Sequence, residues 1–203
     1  MKRVNLDKYE GLIFDMDGTL LDTMPAHLSA WQQTANHFGF EFDQTWIHGL
    51  GGMPSYKIAA EINRSQGLSL DPNLVSKFKM SSFANLENKG EKIDVTCDVL
   101  FKHHGQKKLA VGTGSQRLSA VALLKAHKLE GLLDSIVTAT DVENHKPHPD
   151  TFLRAADELG LIPSQCVVFE DTELGKQAAH AAQMDCIMVI DGNELAFYPY
   201  ITE

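Results

Sequence analysis

Gly11-Leu12-Ile13-Phe14-Asp15-Met16-Asp17-Gly18-Thr19 joins a short apolar run to two carboxylates, a glycine and a hydroxyl. An apolar run of this length, fenced by polar residues, suits a parallel strand covered on both faces. Leu109–Val111, Ser135–Thr138 and Cys166–Phe169 have the same form, and Cys186–Ile190 follows near the end. Segments of helical period lie between these runs. Gln116–His127 carries Leu118, Val121, Ala122 and Leu124, and Pro149–Leu159 carries Phe152, Leu153, Ala156 and Leu159. Glu173–Ala182 is alanine-rich around Leu174. From residue 92 onward strand and helix alternate, the pattern of a doubly wound α/β fold on a parallel sheet.

The interval from Asp22 to Gly90 breaks that rhythm. Pro25–Phe38, Pro54–Arg64 and Pro72–Leu86 each open at a proline, a favoured first helical residue. Asp71 ahead of Pro72 is a good N-cap. The expected organisation is therefore an α/β core from residues 1–21 and 91–203, with a small helical insert at 22–90 after the first strand. Glu194–Glu203, with Phe197, Tyr198 and Tyr200, reads as a packed tail.

The chain has 203 residues, 43% of them hydrophobic and 22% charged, enough for a sizeable core and unlike a disordered chain. Its formal net charge of -9 argues against a nucleic-acid partner, which calls for a basic face. A small anionic substrate remains compatible, because a site can be locally positive. Cys97, Cys166 and Cys186 have no metal-ligand spacing and read as reduced, buried thiols. The polar stretch Met1–Glu10 lacks a signal-peptide apolar region, and no run approaches a membrane span. A cytoplasmic protein is expected.

In an open α/β sheet, ligands bind outside the carboxyl ends of the strands. Those ends carry Asp15-Met16-Asp17-Gly18-Thr19, Gly112-Thr113-Gly114-Ser115, His145-Lys146-Pro147-His148-Pro149 and Glu170-Asp171. Phosphoryl transfer needs an in-line nucleophile, a hard cation and fixed positive charge. Asp15, Asp17 and Asp171 can offer oxygen ligands to Mg²⁺. Lys146 can hold a nucleophilic carboxylate and a phosphoryl group, and Thr113 can donate to a phosphoryl oxygen. Gly18 permits a tight turn that aims backbone N–H groups at phosphate.

The set DMDGT, VGTGS, HKPHP and VVFEDTELG, in this order, resembles the four motifs of the haloacid dehalogenase superfamily. It is most similar to the branch holding β-phosphoglucomutase and small sugar-phosphate phosphatases, such as fructose-1-phosphate phosphatase. The resemblance spans nearly the whole chain and implies a Rossmann-like core with a helical cap after the first strand. It implies Asp15 as nucleophile, Asp17 as general acid and base, Thr113 and Lys146 as catalytic partners, and Asp171 as metal ligand. The Asp17 backbone carbonyl would also touch the metal, and Glu170 would be a ligand or lie just behind one. Gly18, Thr19, Gly114 and Ser115 would line the phosphate site. In the cap, His27 and Lys79 would lie near the substrate, and Gly51-Gly52-Met53 resembles its specificity loop.

Each residue also has a plainer reading. A calcium loop starting at Asp15 would need glycine at its sixth position and glutamate at its twelfth, where Leu20 and Ala26 stand. Lys146 could be a loop lysine, and Thr113 and Asp171 could be helix caps. His27 and Lys79 could be surface or packed residues, and His103 and His104 a solvated helix end. The expected function is a Mg²⁺-dependent phosphatase, acting as a monomer on a small sugar phosphate through an aspartyl-phosphate. The alternatives are a β-phosphoglucomutase-type mutase and a non-catalytic binding module; Asp17 argues against a dehalogenase. A mutase of that branch grips a second phosphate with a cap arginine, whereas Gly52–Lys57 contains none and has Ser55 about there.

Overall fold

The structure is a computed structural model and describes residues 5–201; the ends of the polar leader and of the tail, Met1–Val4 and Thr202–Glu203, lie outside them. The first strand, β1 (Gly11–Phe14), is buried along its whole length. Four helices follow: α1 (Met24–Phe38), α2 (Gln44–Gly49), α3 (Ser55–Gln66) and α4 (Pro72–Ala84). The chain then alternates through α5 (Asp94–His103), β2 (Lys108–Gly112), α6 (Arg117–Ala126), β3 (Ser135–Val137) and α7 (Asp150–Leu159). It ends with β4 (Cys166–Glu170), α8 (Glu173–Ala181), β5 (Asp185–Ile190) and β6 (Glu194–Tyr198).

The strands form one sheet in the order β3-β2-β1-β4-β5-β6. All neighbouring pairs are parallel except β5 with β6. The period of two sends alternate side chains to opposite faces. Leu12, Phe14, Leu109, Val111, Val167 and Phe169 join one buried cluster, while Ile13, Ala110, Cys166 and Val168 join the other. The sheet thus has apolar cover on both sides, as the unbroken apolar runs require.

The tail reading needs correction at Glu194–Tyr198, which is an antiparallel edge strand paired to β5. The turn before it carries Asp191 at φ 47° and Gly192 at φ 68°. An Asp-Gly pair of this kind is a hairpin signal. Helices α2 and α5 are also additional to the segments singled out above. In α2 the Asp43 side chain accepts from the Trp46 N–H, an N-cap; Asp71 caps α4 in the same way.

Trp31, Ala35, Phe40, Ile47, Ile58, Ile62 and Val75 form a third buried cluster within the four-helix stretch. The two connections between that stretch and the sheet run side by side. Asp22 N–H donates to Glu91 O at 2.8 Å, and Ile93 N–H to Leu20 O at 2.9 Å. Gly90, at φ +111°, lies so close that a Cβ on it would sit 2.0 Å from the Asp22 carbonyl oxygen. Among the described residues no helix is long and apolar enough to cross a membrane.

Candidate active site

The strand order reverses direction between β1 and β4, and the crevice at such a switch point is where open α/β sheets bind ligands. Pairing of Phe14 with Phe169 sets the register, and Asp15 N–H donates to Phe169 O at 2.8 Å. Asp15 and Glu170 are thereby forced side by side at adjoining strand ends. Asp15, Glu170 and Asp171 each offer a carboxylate oxygen within 4.8 Å of the others. Gly18 stands over this group at φ +87°, and a Cβ there would lie 2.2 Å from Asp171 Oδ2. Thr19 donates to Asp171 Oδ1 at 3.2 Å. The backbone beneath Thr19 is braced by the buried Thr96 hydroxyl, which donates to its carbonyl.

Lys146, itself buried, places Nζ 2.6 Å from Asp15 Oδ1 and 2.6 Å from Glu170 Oε1. Glu170 accepts through its other oxygen from the Thr172 N–H and hydroxyl, at 2.7 and 2.8 Å. Thr172 also caps α8 by accepting from Gly175 N–H. Gly175 is needed for this approach, because a Cβ there would be 1.9 Å from the Glu170 carboxyl carbon. One ammonium is therefore bonded to two carboxylates of a group of three. Burial lifts the Asp15 pKa well above the ordinary range, against the pull of Lys146 and with the push of Glu170, Asp171 and Asp17. Asp171 is pushed up to about 8, first by burial and then by Glu170. Burial alone would lower Lys146, but Asp15 and Glu170 hold it above its ordinary value. The cluster is short of positive charge and its free donors are all oxygen, a set that fits a hard divalent cation.

Asp17 is positioned differently. Its carboxylate turns away from the three-carboxylate group and accepts from Thr23 (2.6 Å), Ser115 (2.7 Å) and Thr113 (3.3 Å). His27 Nε2 lies 3.1 Å from the same carboxylate. Burial opposes ionisation of Asp17, but the facing His27 ring and the bonds from His27, Thr23 and Ser115 keep its pKa below the ordinary range. The Asp17 carboxylate, expected among the metal ligands, is thus engaged with hydroxyls and an imidazole, and the three-carboxylate group is made without it. Thr113 and Ser115, expected at the phosphate, are in this state partners of Asp17.

His27 Nδ1 is 2.7 Å from Lys79 Nζ, and its ring stacks on Phe83 at 4.1 Å. Burial first, then the Lys79 charge, lowers the His27 pKa. Burial also lowers Lys79 to about 8. Sequence reasoning missed Thr23 and Thr172. Both stand just before a helix, the signal of an N-cap; Thr172 caps its helix, while Thr23 spends its hydroxyl on Asp17.

A cleft partly open to solvent lies between the helical stretch and these strand ends. Asp15, Asp17, Thr113, Ser115 and Glu170 form its polar floor, and Leu28, Trp31, Ile47 and Ile58 an apolar wall. Lys79, Ser55 and Gln116 also border it. The Gly51-Gly52 loop closes one side. A Cβ on Gly51 would be 3.1 Å from Thr172, one on Gly52 3.2 Å from Lys146, and one on Gly114 2.1 Å from the Gly52 carbonyl oxygen. Only backbone fits where the two loops meet.

Comparison with known proteins matches this arrangement to one group. Residues 12–189 match the haloacid dehalogenase-like hydrolase family. The fructose-1-phosphate phosphatase YqaB of Escherichia coli is 42% identical over 183 residues, covering 90% of this chain and 97% of that protein. A phosphorylated carbohydrates phosphatase of Thermotoga maritima is 29% identical, covering 88% of this chain and 83% of its own length. Among solved structures, a hydrolase from Pseudomonas syringae superposes with a TM-score of 0.83 at 25% identity, covering 91% of this chain and 86% of that one. The chain belongs to the haloacid dehalogenase-like hydrolase family.

Proposed function

We propose that the protein is a phosphatase that hydrolyses a small sugar monophosphate, fructose 1-phosphate first among those to try, through an aspartyl-phosphate on Asp15. Residues 22–90 serve as a cap over a core made of 1–21 and 91–203. The observation that carries the reading is the pair of carboxylates two residues apart held in opposite surroundings. Asp15 is ion-paired to Lys146 in the acidic cluster, while Asp17 is turned into hydroxyls and an imidazole. One is placed to attack and the other to move protons.

In the first half-reaction an Asp15 oxygen bonds to phosphorus as the bond to the sugar oxygen breaks, and Asp17 gives that oxygen a proton. A phosphate dianion entering beside Asp17 raises its proton affinity by like-charge repulsion, which loads the acid when it is needed. In the second, the now ionised Asp17 takes a proton from water as that water attacks the phosphoryl group and frees Asp15. Lys146 offsets charge on Asp15 throughout, and Thr113 lies at hand to donate to a phosphoryl oxygen. Mg²⁺ held by Asp15, Asp171 and the Asp17 carbonyl, with Glu170 behind them, would supply Lewis-acid neutralisation of the phosphoryl oxygens.

Hydrolysis is preferred to a mutase because the cleft has no arginine among its described lining residues. Its one ammonium there, Lys79, is engaged with His27, and Ser55 faces the Met80 sulfur at 3.6 Å. The test is a paired assay on one preparation, with Mg²⁺ and with EDTA. Phosphate should be released from fructose 1-phosphate without a bisphosphate activator, and only with metal. Fast interconversion of glucose 1-phosphate and glucose 6-phosphate with little phosphate release would reverse the conclusion.

A further inference from the structure

His145 is the one buried side chain among the described residues that leaves a polar atom, Nδ1, without a hydrogen-bond partner. Such an atom ordinarily costs free energy, so its retention calls for a reason. The other ring nitrogen, Nε2, lies 3.4 Å from the Tyr56 hydroxyl, at the long end of a hydrogen bond. The two rings meet edge to face, with centroids 6.2 Å apart at 84°. Tyr56 sits in the first turn of α3, directly after the Gly51-Gly52-Met53 loop. His145 directly precedes Lys146. Neither Tyr56 nor His145 is among the residues that line the cleft.

We propose that Tyr56 and His145 form a latch that ties the position of the helical cap to the position of Lys146. His145 is joined by a single peptide bond to the residue whose ammonium contacts both Asp15 and Glu170. Tyr56 is four residues beyond Gly52, the residue packed on the Lys146 side chain. When the cap presses down, the long Tyr56–His145 contact shortens and the loop carrying Lys146 is fixed from outside the cleft. When the cap lifts, the loop loses that hold. Both are positioning residues. Their effect on turnover rests on the phosphatase reading, while their mechanical coupling does not.

The test uses the intact protein and two readouts. A neutral hydrogen bond of this kind is worth a factor of about three to ten. Tyr56→Phe, which removes only the hydroxyl, is expected to lower kcat/KM by that factor. His145→Gln keeps a polar atom near the Nε2 position and is expected to stay within about twofold of wild type. His145→Asn, which cannot reach Tyr56, is expected to fall as far as Tyr56→Phe, and combining the two should add nothing further. A merely structural role would make the Gln and Asn variants alike and their effects additive with Tyr56→Phe; either result overturns the latch. The second readout is hydrogen–deuterium exchange without substrate. Tyr56→Phe should speed exchange at residues 51–57 and at 143–148 together. Faster exchange confined to the neighbourhood of residue 56, or no change, refutes the coupling even if no phosphate ester is hydrolysed.

Discussion

Replacing Lys146 by alanine removes the ammonium that pairs with two buried carboxylates, Asp15 and Glu170. Nζ makes contacts of 2.6 Å to Asp15 and to Glu170, and its side chain has no solvent exposure. Charge-assisted bonds of this kind are worth about 1.5–3 kcal/mol each. Partial neutralisation of the stranded carboxylates recovers some of that, and breaking one side of a buried ion pair costs about 3–5 kcal/mol. For a chain of this size that is a fall in Tm of roughly 10 °C in metal-free buffer at pH 8. The deficit should depend on pH. Without the ammonium, the native pKa of Asp15, already raised by burial, rises further above its unfolded value. A group with a raised native pKa favours the folded state at low pH and loses that contribution as pH climbs through the native value. The difference between Lys146→Ala and wild type should therefore be largest at pH 8 and shrink toward pH 5. Phosphate release should fall by about 10² to 10³, the cost of losing one preorganised charge. The assays are urea denaturation across that pH range and initial-rate phosphate release. A variant within about 1 kcal/mol of wild type at pH 8, with no pH trend and activity within about twofold, would refute the reasoning.

Gly18→Ala should lose about 1–3 kcal/mol from a strained positive φ and bind Mg²⁺ at least about tenfold more weakly by calorimetry, because the new Cβ would displace Asp171; unchanged affinity would show that the Gly18–Asp171 approach does not shape the metal site. In EDTA, stability should rise on acidification from pH 8, since Asp171 has a native pKa of about 8 against an ordinary 3.8 and burial raises Asp15 in the same sense. Millimolar Mg²⁺ should flatten that slope, and equal slopes with and without metal by thermal melts would contradict it. Thr96→Val should cost about 1–2 kcal/mol in chemical denaturation, as the buried hydroxyl serves the Thr19 and Ile93 carbonyls; a neutral substitution would mean those carbonyls find other partners.

Much of this protein is legible in the sequence because parallel strands covered on both faces are written locally, as short apolar runs closed by polar residues. Leu12 and Ile13 point to opposite faces whatever lies around them, and three of the four helices of the insert, α1, α3 and α4, announce themselves by prolines and by Asp71. The strand ends then identify Asp15, Thr113, Lys146 and Asp171 as residues that could meet. Tertiary structure alone decided how they meet. Lys146 reaches Asp15 across 131 positions, and the orientation of the Asp17 side chain depends on four neighbours from two other segments. That is why Asp17, adjacent in sequence to the acidic cluster, turns instead to Thr23, His27, Thr113 and Ser115. It is also why β6 escaped notice. Glu194–Tyr198 is a half-exposed edge with only weak alternation, and its strand form depends on hydrogen bonds offered by β5. Periodicity reports burial, which is averaged over many contacts; hydrogen-bond partners depend on positions within tenths of an ångström, which only the packed chain supplies.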